Sequence, residues 1–111
     1  MFSILTPIIQ RIQPTALHRI KANLTLNGKI QSIDEKKIYH VDSDYCLEHP
    51  GVMTTGIYYV NTNNGFTLFE NGEKVKSVAN RLMIFDGLEK HCSVVQTDET
   101  ARYIININLL L

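Results

Sequence analysis

Apolar and polar residues alternate in short runs over most of the chain, and the first segment departs from that rhythm. Within residues 3–13, Ile4, Ile8, Ile9 and Ile12 recur at i, i+4, i+5 and i+8, the spacing of a narrow helical stripe. Thr6-Pro7 offers a cap and a first helical position, and Pro14 ends the segment. This predicts a short helix within residues 1–16, placed to cover a sheet edge or a second copy of the chain. A homodimer is therefore one expected assembly.

After Pro14 the period shortens to two. Residues 18–24 read as a strand with Ile20, Ala22 and Leu24 on one face, and Asn27-Gly28 is a tight-turn signal. Residues 37–42 predict a short strand, followed by a polar loop through Glu48-His49-Pro50-Gly51. Residues 53–60 form the most β-like run and end in Asn61-Thr62-Asn63-Asn64-Gly65. Further strands are expected over residues 66–69, 74–78, 81–85, 91–97 and 101–109, with a turn at Glu70-Asn71-Gly72. Short strands punctuated by turn residues, with little helix, predict an all-β sandwich, barrel or jelly roll.

A length of 111 residues suits one domain spanning residues 1–111. Eleven basic and eleven acidic residues cancel, so no overall field draws phosphates, and nucleic acid is an unfavoured partner. Lys29, Lys36 and Lys37 form only a local cluster. No run reaches the roughly 18 apolar residues that span a bilayer, and the N-terminus lacks signal-peptide features. Two cysteines, Cys46 and Cys92, make no disulfide framework. Reduced thiols and a cytoplasmic location, without membrane association, are the expectation.

Three places carry candidate chemistry. On a strand, residues two apart share a face, so His40 and Asp42 would converge while Val41 packs behind. His91 opens an apolar strand just after Asp86-Gly87. Joined with the pair, it makes a two-histidine, one-carboxylate set, which leaves open positions on an octahedral metal and suits non-heme Fe(II). Zinc more often takes a closed tetrahedral shell. If residues 97–99 make a two-residue hairpin turn, Arg102 falls opposite Ser93 or Val95, on the face of His91, and roughly 7–13 Å along the strand from the metal. An arginine fork there suits the far carboxylate of a dicarboxylate held at the metal by its other end. Thr55, Ile57 and Tyr59 share a face, and the Tyr59 hydroxyl could be a second donor. Asn106 and Asn108 share the face of Arg102 and Ile104, which fits either a wet pocket or an outward-facing strand.

The ordered set His40-x-Asp42, Thr55-Gly56-Ile57-Tyr58-Tyr59, Gly65 to Phe69, Asn80-Arg81-Leu82, His91 and Arg102-Tyr103 resembles the Fe(II)- and 2-oxoglutarate-dependent oxygenases, particularly their prolyl-hydroxylase-like branch. The stretches "RIKANLT" and "IYYVNTNNGFTLFENGEKV" look most like small oxygenases of marine phages and bacteria, which places the protein in a bacterial or phage-infected cell. The similarity runs from about His18 to Leu109. It implies a double-stranded β-helix, that is, a jelly roll, with Fe(II) at His40, Asp42 and His91 as the catalytic centre. It implies 2-oxoglutarate held by Arg102, with Tyr59 as hydroxyl partner, Thr55 nearby and Asn106 in the same pocket. Asn23 is the polar residue nearest the place where the family carries a cofactor-contacting tyrosine. The activity implied is hydroxylation with O2, coupled to oxidative decarboxylation of 2-oxoglutarate to succinate and CO2. The substrate would be a prolyl or other peptide side chain, or a small molecule. The competing readings are a catalytically degenerate jelly-roll binding module and a cupin-like metal protein of other chemistry.

Overall fold

The computed structural model describes residues 16–28 and 39–110. The helix expected over residues 3–13, the Lys29, Lys36 and Lys37 cluster, and the start of the strand expected over residues 37–42 lie outside the described residues.

The described elements are β1 (Ala16–Leu26), α1 (Asp44–Glu48), β2 (Thr54–Tyr59), β3 (Phe66–Phe69), β4 (Lys74–Lys76), β5 (Arg81–Asp86), β6 (His91–Val94) and β7 (Ala101–Leu110). They form two sheets, one ordered β1-β7-β2-β5 and the other β4-β3-β6. Every strand pair is antiparallel. The chain passes back and forth between the sheets, so the first strand pairs with the last. This is a jelly roll, in which two facing sheets reduce the exposed edge that a single small sheet would leave.

Two local expectations differ from the structure, and a third leads outside the described residues. Residues 44–48 form a helical turn, α1, where a polar loop was expected; Ser43 precedes it in extended conformation. The turn expected at Asn27-Gly28 leads into residues outside the described ones, and those two residues are held against the segment that joins β6 to β7. Their N–H groups donate to the carbonyls of Thr100 and Gln96, and the Asn27 amide reaches the Thr97 and Glu99 carbonyls. The tight turn joining residues 91–97 to 101–109 is also absent. β6 stops at Val94, residues 95–100 cross over, and β7 belongs to the other sheet. A two-residue turn can join only adjacent strands of one sheet, so this separation excludes it.

The alternation is unusual in its sense. On β1, the register Arg19↔Asn108, Lys21↔Asn106, Asn23↔Ile104 and Thr25↔Arg102 turns the polar set inward. The apolar set faces out, with Leu24 59% and Leu26 69% exposed. In the second sheet, Phe66, Leu68, Cys92 and Val94 form one buried cluster with Tyr39 against it. Their strand neighbours Thr67, Phe69, His91 and Ser93 face the first sheet. Phe69 and His91 meet Phe85 of β5 with ring centroids 5.0 Å away in each case. The intersheet space holds a second cluster of Ile57, Tyr59 and Ile104, with Val75, Met83 and Phe85 packed on it. The interior is thus partly apolar and partly polar, and the polar part lies around His91.

Inward and outward parity on β2 and β5 makes a direct prediction. Ile57→Ala, in the intersheet cluster, is expected to cost about 2–5 kcal/mol. Ile84→Ala, on the exposed face of β5, is expected to cost about 0.5 kcal/mol. Chemical denaturation of both variants checks this, and equal losses would mean the wrong face has been assigned inward.

Candidate metal centre

His91 sits at the start of β6, and its backbone forms an isolated antiparallel bridge with His40 in which each N–H donates to the other's carbonyl, 3.0 Å in both directions. That bridge brings residues 40–42 alongside β6. Asp42 lies in a bend rather than on a regular strand, so the alternation expected for His40 and Asp42 is not what joins them. Arg19 of β1 fixes the bend by donating to the Asp42 carbonyl at 2.9 Å.

The three side chains converge. Asp42 Oδ1 lies 3.2 Å from His91 Nε2 and 3.9 Å from His40 Nε2. One donor atom from each residue falls within 4.8 Å of the others. Two ligands about 2.1 Å from a metal stand about 3.0 Å apart at a right angle and about 3.4 Å apart at the tetrahedral angle. The Asp42–His91 spacing already fits. His40, whose side chain is 53% exposed against 6% for Asp42 and 5% for His91, has room to close its longer gap by turning its ring.

Hydrogen bonding tests whether a cation fits. His91 Nδ1 lies 3.1 Å from the Glu89 carbonyl. A carbonyl only accepts, so Nδ1 carries the proton. In neutral imidazole, Nε2 then presents a lone pair. It is buried without a hydrogen-bond partner among the described residues, although the Asp42 carboxylate is within ion-pair distance. A lone pair facing a carboxylate is unfavourable unless a proton or a metal ion lies between them. The backbone acceptor on Nδ1 is also the usual device for orienting a metal-ligating histidine.

Asp42 is held on its other oxygen. Oδ2 accepts from Asn108 Nδ2 at 3.0 Å and from Asn106 Nδ2 at 3.4 Å. Asn108 also reaches Thr55 Oγ1 at 3.1 Å, and Asn106 Oδ1 accepts from Asn23 at 3.2 Å. Oδ1 is left for the histidines, which favours one-oxygen coordination. Asn108 and Glu89 supply contacts that the sequence did not assign, and Asn23, named there for a cofactor contact, donates to Asn106. The alternation of Asn106 and Asn108 in an apolar strand was the visible signal.

Arg102 is only 1% exposed. Its Nε donates to Ser77 Oγ at 2.7 Å, its Nη1 donates to Ser93 Oγ, and its Nη2 has no partner among the described residues. It reaches β6 by crossing between sheets, not as a hairpin neighbour. The Ser93 contact nevertheless sets the guanidinium about one pleat, roughly 7 Å of strand, from His91. Tyr59 lies beside it, with its ring centroid 5.9 Å from the guanidinium carbon and its hydroxyl 2.7 Å from Thr67 Oγ1. Thr55 is not beside Arg102. It pairs with Asn108 at the Asp42 end, about 13 Å of strand from Tyr59. Gly65 permits the arginine's path, since a Cβ there would stand 2.9 Å from Arg102 Cδ and 2.8 Å from Asn63 Oδ1. Burial pulls the Arg102 pKa below the ordinary arginine value, partly offset by Tyr59.

A cavity of about 410 Å3 adjoins these groups. His40, Asp42, His91 and Asn106 line it, and so does Ser93, whose hydroxyl accepts from Arg102. Arg102 does not itself line it.

Burial pushes the Asp42 carboxyl up, but His91, Asn108 and Asn106 outweigh it and hold the pKa down at about 2. Burial pulls the His91 imidazole down, yet Asp42 and the Glu89 carbonyl bring it above its usual value. In the metal-free protein, the depressed Asp42 pKa contributes stability above the unfolded carboxylate value, lost as pH falls toward 2. The raised His91 pKa contributes stability below pH about 6.5, lost as pH rises through its folded value. Chelated protein is therefore expected to be most stable between pH about 4 and 6.5, with about 2 kcal/mol lost on the acid side from Asp42. His91→Gln should flatten the alkaline limb, and a divalent metal at pH 8 should restore stability. Thermal melts across pH measure all three, and an unchanged alkaline limb in the variant would refute the coupling.

No family model matches the sequence, and no curated protein does. Solved structures do match in fold. A cupin protein from Bacteroides fragilis superimposes with a TM-score of 0.58 at 12% identity, covering 93% of this chain and 73% of that one. A non-heme monooxygenase, ThoJ, solved as its nickel complex, superimposes with a TM-score of 0.68 at 13% identity, covering 97% of this chain. This chain spans about half of that protein, 49% of its length. At these identities the likeness is one of fold, a jelly roll.

Proposed function

We propose that the protein is a non-heme iron oxygenase that uses 2-oxoglutarate and O2 to hydroxylate a small-molecule or peptide substrate. One observation carries the metal: a buried His91 Nε2 without a hydrogen-bond partner among the described residues faces Asp42 Oδ1 at 3.2 Å, with His40 beside them at the cavity. Two imidazoles and one carboxylate oxygen leave other coordination positions open, the pattern suited to non-heme Fe(II). Iron bound there would supply O2 activation, coupled to decarboxylation of 2-oxoglutarate to succinate and CO2.

The chain's own residues have separable tasks in this reading. Asn106 and Asn108 orient Asp42 through Oδ2. The Glu89 carbonyl holds the proton on His91 Nδ1 and keeps Nε2 aimed at the metal. Arg102 binds the far carboxylate of 2-oxoglutarate. It is a buried cation with an unpartnered N–H and no acid in contact among the described residues, an arrangement that a carboxylate would complete. Tyr59 and Thr67 offer hydroxyls beside it. Rotation of the Ser93 hydroxyl would open the way from the cavity.

The burial of Arg102 behind Ser93 favours a second reading, a cupin-like metal protein whose chemistry does not use 2-oxoglutarate. Succinate formation from 2-oxoglutarate, dependent on added Fe(II) and O2, separates the two. It is expected with the wild-type protein, and its absence from iron-loaded protein would sink the first reading. Asp42→Ala is expected to abolish stoichiometric metal binding in either case. Arg102→Ala is expected to weaken 2-oxoglutarate about 10–100-fold while sparing metal affinity, the loss of a charge-assisted hydrogen bond of about 1.5–3 kcal/mol. Calorimetric titration of metal and then co-substrate measures both.

A further inference from the structure

We infer that the β1 wall of the cavity is a receptor for a second small organic anion, the substrate itself, whose anionic group is received by Lys21 and Arg19 next to the metal centre. This rests on the oxygenase reading for the identity of the first anion, 2-oxoglutarate, and on the fold alone for the existence of the receptor.

The inverted parity of β1 is the starting point. A sandwich strand ordinarily turns its apolar side inward, and β1 has one available in Ile20, Ala22, Leu24 and Leu26. It is turned largely outward, and the row Arg19, Lys21, Asn23 and Thr25 lines the cavity, with Leu24 the one member of the apolar set that also touches it. Two of these are cations. Their register partners on β7 are Asn108 and Asn106, the residues that hold Asp42, so the cations stand directly across from the metal centre's supports.

Charge balance gives the ligand its sign. Among the described residues that line the cavity, Asp42 is the only acid, and the histidines face it. Neither Arg19 nor Lys21 forms an ion pair with another described side chain. Arg19 is anchored by its bond to the Asp42 carbonyl, which fixes where its guanidinium sits. Lys21 is exposed and lines the same cavity. A chain of zero net charge has thus gathered two cations beside a site that a divalent metal would make more positive. With the carboxylates of 2-oxoglutarate assigned to the metal and to Arg102, Lys21 and Arg19 have no role in co-substrate binding. The volume of about 410 Å3 lies within the range of small-molecule sites. A single pair of cations suits one carboxylate or phosphate group, not a polyanion track.

The test uses full-length, 15N-labelled protein loaded with Zn(II), followed by NMR with and without saturating 2-oxoglutarate. The probes are propionate, propyl phosphate and neutral propionamide. Propionate or propyl phosphate is expected to give saturable shifts centred on Arg19 to Asn23, and the stronger of the two names the anionic group. Propionamide should give none. Lys21→Met should weaken the anion at least 5-fold and Lys21→Glu should abolish it, with metal and 2-oxoglutarate affinities unchanged in both. Equal binding of propionamide, or full binding by Lys21→Met, overturns the inference. Loss of 2-oxoglutarate affinity in Lys21→Met also overturns it, because β1 would then hold the co-substrate, and the oxygenase reading would survive. If 2-oxoglutarate fails to bind the wild-type protein while Lys21-dependent anion binding persists, the receptor stands and the co-substrate assignment falls.

Discussion

A histidine ring nitrogen and a carboxylate oxygen face each other across 3.2 Å in the interior of this protein, a lone pair against a carboxylate whenever the imidazole is neutral, and the surrounding structure is organised around that contact. The Glu89 carbonyl fixes the proton of His91 on Nδ1, so Nε2 turns toward Asp42 Oδ1 as an acceptor. Asn106 and Asn108 occupy the other carboxylate oxygen, so Asp42 cannot relieve the conflict by rotating without losing two donors. Only a positive charge resolves it, either a proton on His91 or a cation shared with His40. The same contacts that depress the Asp42 pKa and raise that of His91 thus make the pocket receptive to a divalent metal.

Such a polar centre is expensive to bury in a small domain. The fold meets the cost by separating polar and apolar layers in an uncommon way. β1 and β6 turn polar residues into the intersheet space, while Phe66, Leu68, Cys92 and Val94 gather on the far side of the second sheet. The apolar intersheet cluster of Ile57, Tyr59 and Ile104 lies beside the polar region. Arg102 ties the sheets together through Ser77 on one side and Ser93 on the other, with Gly65 leaving room for its stem. Cys46 and Cys92 are buried and form no disulfide with each other, so no covalent link holds the layers. Among the described residues, no helix is long and apolar enough to cross a membrane.

The cavity joins these parts into one chemical environment. The end that carries the candidate metal ligands is lined by residues from β1, β6, β7 and the 40–42 segment, brought together by the His40–His91 bridge and by the pairing of first strand with last. Its cationic wall comes from β1. Such a site depends on the crossing of the chain between sheets, because no two adjacent strands alone contain its donors.

Much of this could be read from the sequence. Period-two alternation and turn residues specified short strands in a sandwich, barrel or jelly roll, because side-chain parity is a local property of extended backbone; the family resemblance narrowed these to the jelly roll. The His40, Asp42 and His91 set was legible from residue type and order, and the Asn106 and Asn108 alternation marked a wet face. Other features depended on which strands become neighbours, which local pattern does not encode. Parity tells which residues share a face but not which face points inward, so the inversion of β1 was invisible. Turn residues at 97–99 suggested a hairpin, and only the assembled sheets placed β6 and β7 in different layers. Arg102 still arrived near His91, by reaching across the interior instead of along a shared sheet. The sequence by itself determined the strand periodicity and the set of groups able to bind a metal. The tertiary structure alone decided how far apart those groups stand, which oxygen of Asp42 is left exposed to the histidines, and that two cations line the cavity beside them, because each depends on long-range strand pairing.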